Sequence, residues 1–513
     1  MASLVEAFRQ AAERFGAAPA ILWPEADIDF ATFGCLSDRV AASLAERGIE
    51  KGDRVALYSP NCAEFALAYA GILKAGAVVV PINLLLNPGE IVFVLQDVGA
   101  KALIFHRDLT ETATRLVRDA AALRFAITMG PGAGRTQGWE EVLACRSPCP
   151  SIDFDAQQDL AAILYTSGTS GRPKGAMLTH GNLLANTASI REAMCWRPGE
   201  DIVLVVLPMF HAFAATVGML TPLTVGCAFV PVPKFDPDRV AGAIHATQAT
   251  IFLGVPSMFS LLLKLKEDRV PLLGSLRFCV SGGAALPVEV LAQFEMKFGK
   301  PIYEGDGPTE CSPVTCVNPI GGLAKPGTVG LPLPGVEMKI VDEQGKDLPV
   351  GEVGEIAVRG ANVFKGYWKQ PEATAASFSG EWFLTGDLGL CDRDGYFSIV
   401  DRKKDLIIVN GMNVYPRVIE EVLYRFPAIR EAAVVGEPNK LHGEIPVAFV
   451  ALHEPGSTTP AEIRAWCREH LGRHEVPRAV TILPSLPRNA AGKILKRELR
   501  RQGEDECGVV PPA

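Results

Sequence analysis

Short β-branched runs alternate with helix-length apolar patterns along most of the first 320 residues, and this alternation restricts the fold more tightly than any other feature of the chain. A helical pattern over 36–48 precedes a strand-like run over 54–58, and a second over 64–75 precedes one over 77–81. The rhythm returns with 238–246 before 250–253 and with 287–298 before 302–303. Strands joined by crossover helices produce such a rhythm, so a layered α/β core is expected. Between 329 and 400 the texture changes: Gly and Pro punctuate short strands at 337–341, 354–359 and 396–399, which reads as a β-rich subdomain. After Asp401 a charged run leads into an apolar one, and Pro416 and the Thr459–Pro460 pair each suit the first turn of a helix. A boundary near Lys404 divides the chain into 1–403 and 404–513, the second being a viable small α+β domain. The last eleven residues, GEDECGVVPPA, read as a frayed tail.

Composition narrows the functional classes. Of 513 residues 48% are hydrophobic, which is enough apolar side chain for a large core and far from the signature of disorder. The net charge of −8 provides no general attraction to nucleic acid or to an anionic membrane, so an anionic ligand must be met by local groups. Twelve cysteines are scattered with no CxxC pair, which excludes a zinc knuckle and a disulfide framework and fits reduced thiols in a cytoplasmic protein. The N-terminus reads as an amphipathic helix rather than a secretion signal. The apolar stretch 65–86 is broken by Lys74 and Pro81, so a buried helix followed by a strand is expected there and no integral membrane segment.

The strongest chemical signal is YTSGTSGRPKG at 165–175, placed directly after the apolar run 160–164. Hydroxyls at Thr166, Ser167, Thr169 and Ser170, glycines at Gly168 and Gly171, and the cation of Lys174 make a loop able to wrap phosphate oxygens. A Walker A loop is excluded, because Pro173 precedes the lysine and Gly175 follows it. A plain surface turn is the bland alternative; the density of hydroxyls after a strand favours phosphate.

This block resembles the phosphate loop of the acyl-adenylate-forming superfamily, which includes acyl-CoA synthetases, peptide-synthetase adenylation domains and luciferases. Further blocks similar to that family follow in order: PMFHAF at 208–213, EGDGPTE at 304–310, TGD at 385–387, DRKKDLI at 401–407 and PRNAAGKILKREL at 487–499. Spacing and compact length look most like fatty-acid or related carboxylate CoA ligases. The resemblance implies ATP, Mg2+ and CoA as reaction partners of a small-molecule carboxylate, with no nucleic acid and with a homodimer left open. Carboxylate and Mg·ATP would give acyl-AMP and pyrophosphate, and the CoA thiol would then displace AMP. A medium- or long-chain fatty acid is expected, with aromatic or alicyclic acids, or delivery to an acyl-carrier protein, as alternatives. A non-catalytic binding protein would have been signalled by loss of Lys493 or Glu310, and both are present.

Residue by residue, the resemblance implies that Gly283, Glu304, Gly305 and Asp306 border ATP, that Thr309 lies near its α-phosphate and that Glu310 holds the metal. Asp387 matches a ribose-binding aspartate, Arg402 an arginine at the same nucleotide edge, and Lys493 the lysine that stabilises charge during adenylation. Lys404 matches a hinge about which the small domain rotates, bringing Asn410 and Gly411 to a pantetheine tunnel. His211 is either a core histidine or a gate at the mouth of the acyl pocket. The run SGGAAL at 281–286 would pass between nucleotide and acyl group, its small residues, with Gly305 and Gly307, leaving room for an apolar chain. Lys496, Arg497, Arg500 and Arg501 read as a solvated basic tail. Asp306 stands where many relatives have an aromatic that stacks on adenine, and Ile408 and Asn410 where several have lysines, so those contacts are not carried over.

Overall fold

The structure, a computed structural model, describes residues 3–22, 24, 27–134, 136–166, 173–439, 441–488 and 494–500. Two large sheets form the body of the chain. The nine-stranded sheet has a parallel centre in the order Ile302–Asp306, Phe278–Ser281, Ile251–Gly254, Ile202–Val205, Ala228–Pro231 and Pro19–Ile21, with antiparallel strands at both ends. The eight-stranded sheet places Val78–Pro81, Arg54–Tyr58, Ala102–His106 and Phe125–Met129 in parallel beside the antiparallel hairpin of Leu160–Thr166 and Lys174–Thr179. Their strands are buried along nearly their whole length, which is why they read as continuous apolar runs rather than alternating ones.

The helix Ala63–Lys74 explains the long apolar stretch: every residue except Glu64 is buried, and the Lys74 ammonium reaches Gly34 O at 3.0 Å and Asp38 Oδ1 at 2.6 Å. Val78–Pro81 then forms the adjoining strand, and no helix among the described residues is long and apolar enough to cross a membrane. The expected helix over 36–48 runs instead from Phe30 to Glu46, because Asp29 accepts from Thr32 N at 2.7 Å and caps it one turn and a half earlier. A five-stranded antiparallel sheet, Val336–Val341, Gly354–Gly360, Trp382–Cys391, Phe378–Ser379 and Phe397–Arg402, makes up the β-rich region.

Beyond Arg402 a separate five-stranded sheet is built from Ile407–Val409, Met412–Val414, Ile429–Asn439, Gly443–Leu452 and Ala479–Ile482. Helices Pro416–Tyr424 and Pro460–His470 accompany it, each with proline in its first turn, and its apolar interior is distinct from that of the large sheets. Thr459 caps the second helix as expected, accepting from Glu462 N at 3.3 Å. The tail 503–513 lies outside the described residues.

Candidate active site

In a parallel sheet, ligands gather beyond the carboxyl ends of the strands, where turns rather than ladders occupy the backbone. Strands Phe278–Ser281 and Ile302–Asp306 end side by side, with Ser281 opposite Glu304, so the segments SGGAAL and EGDGPTE leave the sheet together. A Cβ on Gly282 would lie 3.2 Å from the Phe213 ring and 3.4 Å from Gly305 O. Three of the sequence blocks, at 208–213, 281–286 and 304–310, therefore touch at one glycine. Gly283 follows at φ +76°, a conformation that favours glycine.

Gly305 and Gly307 do not open space for an apolar chain, contrary to the expectation from sequence. A Cβ on Gly305 would lie 2.9 Å from Cys316 O, and one on Gly307 only 1.7 Å from Pro313 O. Both glycines are required by the close approach of the 313–316 backbone, which returns along the strand and donates from Thr315 N to Asp306 O at 2.9 Å. The turn that carries Thr309 and Glu310 is thereby pinned.

Glu304 is 3% exposed, and its carboxyl accepts from Leu286 N at 2.9 Å, so it ties the glycine segment to the strand. Burial pushes this carboxyl up to about 7; Arg417 and the Leu286 N–H pull the other way, and Asp306 adds to the rise. Glu310 is also buried, and its Oε1 accepts from the Tyr367 hydroxyl at 2.9 Å. Burial raises Glu310 as well, opposed by the Tyr367 bond and the charge of Arg402. Thr309, half-buried, opens the same short turn.

Asp387 and Arg402 face each other across the antiparallel ladder, joined at 3.0 Å between Nε and Oδ1. Asp387 is 8% exposed at the side chain while Arg402 is 42% exposed, so the pair presents a guanidinium outward over a buried carboxylate. The carboxylates of Asp387, Asp306, Asp405 and Glu310 surround Arg402 and hold its guanidinium firmly charged. Blocks 304–310, 385–387 and 401–407 thus converge on one charge cluster. Lys174 opens the strand Lys174–Thr179 opposite Thr166, and its ammonium lies 5.1 Å from the Tyr367 ring centroid. Ser167, Gly168, Thr169, Ser170, Gly171 and Lys493 lie outside the described residues.

His211 is exposed, which removes the core-histidine reading. The turn that bears it hangs on Asn61, a residue the sequence did not point to. Asn61 is 3% exposed, donates to Val205 O, Leu207 O and Val232 O at 3.2, 2.9 and 3.1 Å, and accepts from Met209 N at 2.7 Å. One amide thus ties the end of strand Arg54–Tyr58 to the ends of two strands of the other sheet. Tyr367 was also missed; its only local signal is a tyrosine in a Gly-bounded strand.

Lys404 is exposed in the turn between the strands ending at Arg402 and starting at Ile407. Asn410 and Gly411 form the tip of the following hairpin at φ +52° and +79°. The Asn410 amide oxygen meets His442 Nδ1 at 3.0 Å within its own sheet, and Ile408 and Met412 beside the tip are exposed. The structure does not gather this tip into the charge cluster. Lys496 and Arg500 are not a solvated tail: they pair with Glu420 at 2.8 Å and Asp405 at 2.9 Å. Asp401, buried, accepts from Arg417 N at 2.9 Å and joins the β-rich sheet to the first turn of helix Pro416–Tyr424.

Layered α/β sheets, a β-rich region and a separate small β/α unit around a glycine- and carboxylate-lined seam define an adenylate-forming enzyme of two-domain architecture. The chain belongs to the AMP-binding enzyme family, whose model matches residues 8–368, with the model of the AMP-binding enzyme C-terminal domain matching 418–493. It is 37% identical over 496 residues to a long-chain-fatty-acid–CoA ligase of Bacillus subtilis, covering 90% of this chain and 87% of that protein. It is 36% identical over 475 residues to a feruloyl-CoA synthase of Amycolatopsis, covering 92% and 94%. Among solved structures, ATP-bound MatB from Rhodopseudomonas palustris superposes with a TM-score of 0.90 at 33% identity over 98% of this chain and 99% of that one. Apo MatB from the same organism, with the same identity and coverage, superposes with a TM-score of 0.79. The protein is an ATP-dependent, AMP-forming acid–thiol ligase of the acyl-CoA synthetase superfamily.

Proposed function

We propose that the protein activates a medium- or long-chain fatty acid as its acyl-AMP and transfers the acyl group to CoA. The observation that carries this reading is the packing of Gly282 between Phe213 and Gly305, which sets an apolar segment directly against the nucleotide-edge strand. Neither PMFHAF nor SGGAAL contains a lysine or arginine that would pair with a second carboxylate of the substrate, and the buried segment Ala214–Leu220 behind them is apolar apart from Thr216. The long-chain-fatty-acid relatives support the same class. Aromatic acids are the second reading, favoured by the feruloyl-CoA synthase likeness.

In this reading the loop from Thr166 through Ser167, Gly168, Thr169, Ser170 and Gly171 to Lys174 holds the ATP phosphates. Asp387 accepts from the ribose hydroxyls while Arg402 keeps that carboxylate oriented. Glu304, Gly305, Asp306 and Gly283 form the wall between base and acyl group, and Glu304 acts through its bond to Leu286. The hard oxygen donors of Glu310 suit Mg2+, which when bound would supply neutralising charge to the phosphates, and Thr309 lies near the α-phosphate. His211, exposed at the seam, orients the substrate carboxylate. Lys493 neutralises the two anions that meet when that carboxylate attacks the α-phosphate, and no proton need move in this step. Residues 1–403 and 404–513 behave as two units about Lys404, a division supported by their separate apolar interiors. Rotation there would exchange Lys493 for the Asn410–Gly411 tip, where CoA would enter.

The test is pyrophosphate release with ATP and Mg2+ across short, medium, long-chain, cyclic and aromatic acids, each with and without CoA. Repeated turnover with medium- or long-chain acids only when CoA is present supports the proposal. Selective turnover of aromatic acids replaces the substrate, and a single CoA-independent burst replaces the acceptor with a carrier protein.

A further inference from the structure

We propose that Tyr367 is the positioning residue of the phosphate site: its hydroxyl orients the Glu310 carboxylate while its ring face seats the Lys174 ammonium. The inference rests on the reading of Glu310 as the metal-holding acid and of Lys174 as a phosphate-binding cation. Tyr367 contacts both at once, with its hydroxyl 2.9 Å from Glu310 Oε1 and its ring centroid 5.1 Å from Lys174 Nζ. The first is a hydrogen bond to an ionisable acceptor, which is shorter-ranged and more directional than a surface ion pair. The second is a cation over an aromatic face, which holds a lysine without neutralising it. Both charges thus stay available to a ligand although they sit on one side chain.

The backbone around Tyr367 is built to hold it still. Strand Gly366–Tyr367 pairs antiparallel with Lys174–Thr179, placing Tyr367 opposite Ala176, and Trp368 N donates to Gly175 O at 2.8 Å. Tyr367 N donates to Thr374 Oγ1 at 2.9 Å. Gly366, at φ +129°, leaves no space for a side chain, since a Cβ there would lie 2.6 Å from Thr374 Cγ2. Phe364 packs edge-on against the ring at 4.9 Å, and its own N–H donates to Glu310 O at 2.7 Å. Segment 364–367 therefore grips Glu310 by its main chain and by its carboxylate while running alongside the strand that begins with Lys174. The spacing between the acid and the cation follows from this one segment.

The experiment compares wild type, Tyr367→Phe, Tyr367→Leu and Glu310→Gln, all checked for unchanged melting temperature. Two binding readouts are used: Mn2+ affinity of the ATP complex by electron paramagnetic resonance, and ATP affinity in EDTA by calorimetry. The Mg2+ dependence of pyrophosphate release is measured alongside. Losing a hydrogen bond to a charged group is expected to weaken Mn2+ binding in Tyr367→Phe roughly ten-fold. Metal-free ATP affinity should hold in Tyr367→Phe, which keeps the ring beneath Lys174, and fall in Tyr367→Leu, which does not. Wild-type Mn2+ affinity in Tyr367→Phe alongside a loss in Glu310→Gln overturns the positioning role and leaves Glu310 in place. Wild-type affinity in Glu310→Gln overturns the metal reading and this proposal with it. An equal fall of both affinities in Tyr367→Phe means a general packing role and overturns it too.

Discussion

Replacing Glu304 with glutamine should make the protein more stable above neutral pH and leave it nearly unchanged near pH 4.5. The wild-type carboxyl is buried and held up to about 7 against an ordinary value of 4.5. Between those values the unfolded chain has released this proton and the folded chain keeps it, so stability falls as pH rises from 4.5 to 7 and then levels off. The gap between 4.5 and about 7 corresponds to roughly 3 kcal/mol held against the folded anion. Glutamine carries no charge at any of these pH values, and its carbonyl oxygen can still accept from Leu286 N, the 2.9 Å bond made now. Its new N–H lies across the register from Ser281, whose buried hydroxyl oxygen has no hydrogen-bond partner among the described residues. Subtracting the two profiles cancels every other titration. For a body of about 400 residues the unfolding entropy is roughly 0.8 kcal/mol/K, so 3 kcal/mol moves the melting temperature by about 4 °C. Thermal melts of both proteins at pH 5, 6, 7 and 8 measure the difference, which should grow with pH and then plateau. A difference that is constant or shrinks as pH rises would refute the reasoning, because the folded carboxyl would then not be holding its proton.

Three further outcomes are expected. Gly307→Ala puts a methyl 1.7 Å from Pro313 O, in a segment that Asn186 holds by bonds of 2.7 and 3.2 Å to Val314. It should cost about 2 kcal/mol or more in denaturation and slow adenylation on the order of 100-fold in pyrophosphate release, and a wild-type rate would show that the turn is not needed in this form. Lys404→Pro should depress thioester formation more than acyl-AMP formation when the two half-reactions are followed separately; equal loss in both removes the hinge. Asp306→Tyr should lower the Michaelis constant for ATP by supplying a stacking surface, whereas an unchanged or raised value assigns Asp306 a productive contact of its own.

Much of the architecture was legible because its signals are local. The expected strand at 54–58 and the helices at 238–246 and 287–298 match Arg54–Tyr58, Pro237–Thr247 and Val288–Phe298 to within a residue at either end. The same holds for the β-rich strands Val336–Val341 and Gly354–Gly360. Side-chain period, proline position and turn residues carry this information in a window of about a dozen positions. The helix Phe30–Glu46 escaped at its start because Asp29 is a cap by geometry, and its neighbours FATFG offered no helical periodicity. The basic residues near the C-terminus misled for the opposite reason: charge suggests solvent, yet Glu420 and Asp405 lie 76 and 95 positions away from their partners Lys496 and Arg500.

The sequence by itself determined the alternation that builds two sheets and the β-rich texture after them, since each depends on residues adjacent in the chain. Only the tertiary structure decided that Gly282 lies between Phe213 and Gly305, that Gly305 and Gly307 admit backbone rather than ligand, and that Glu304 is buried, which pushes its carboxyl upward. It also brought out Asn61 and Tyr367, whose partners Leu207 and Glu310 stand 146 and 57 positions away. Burial, close approach and hydrogen bonding are properties of neighbours in space. Nothing in the local pattern of an asparagine or a tyrosine records which distant strand ends or carboxylate it will meet.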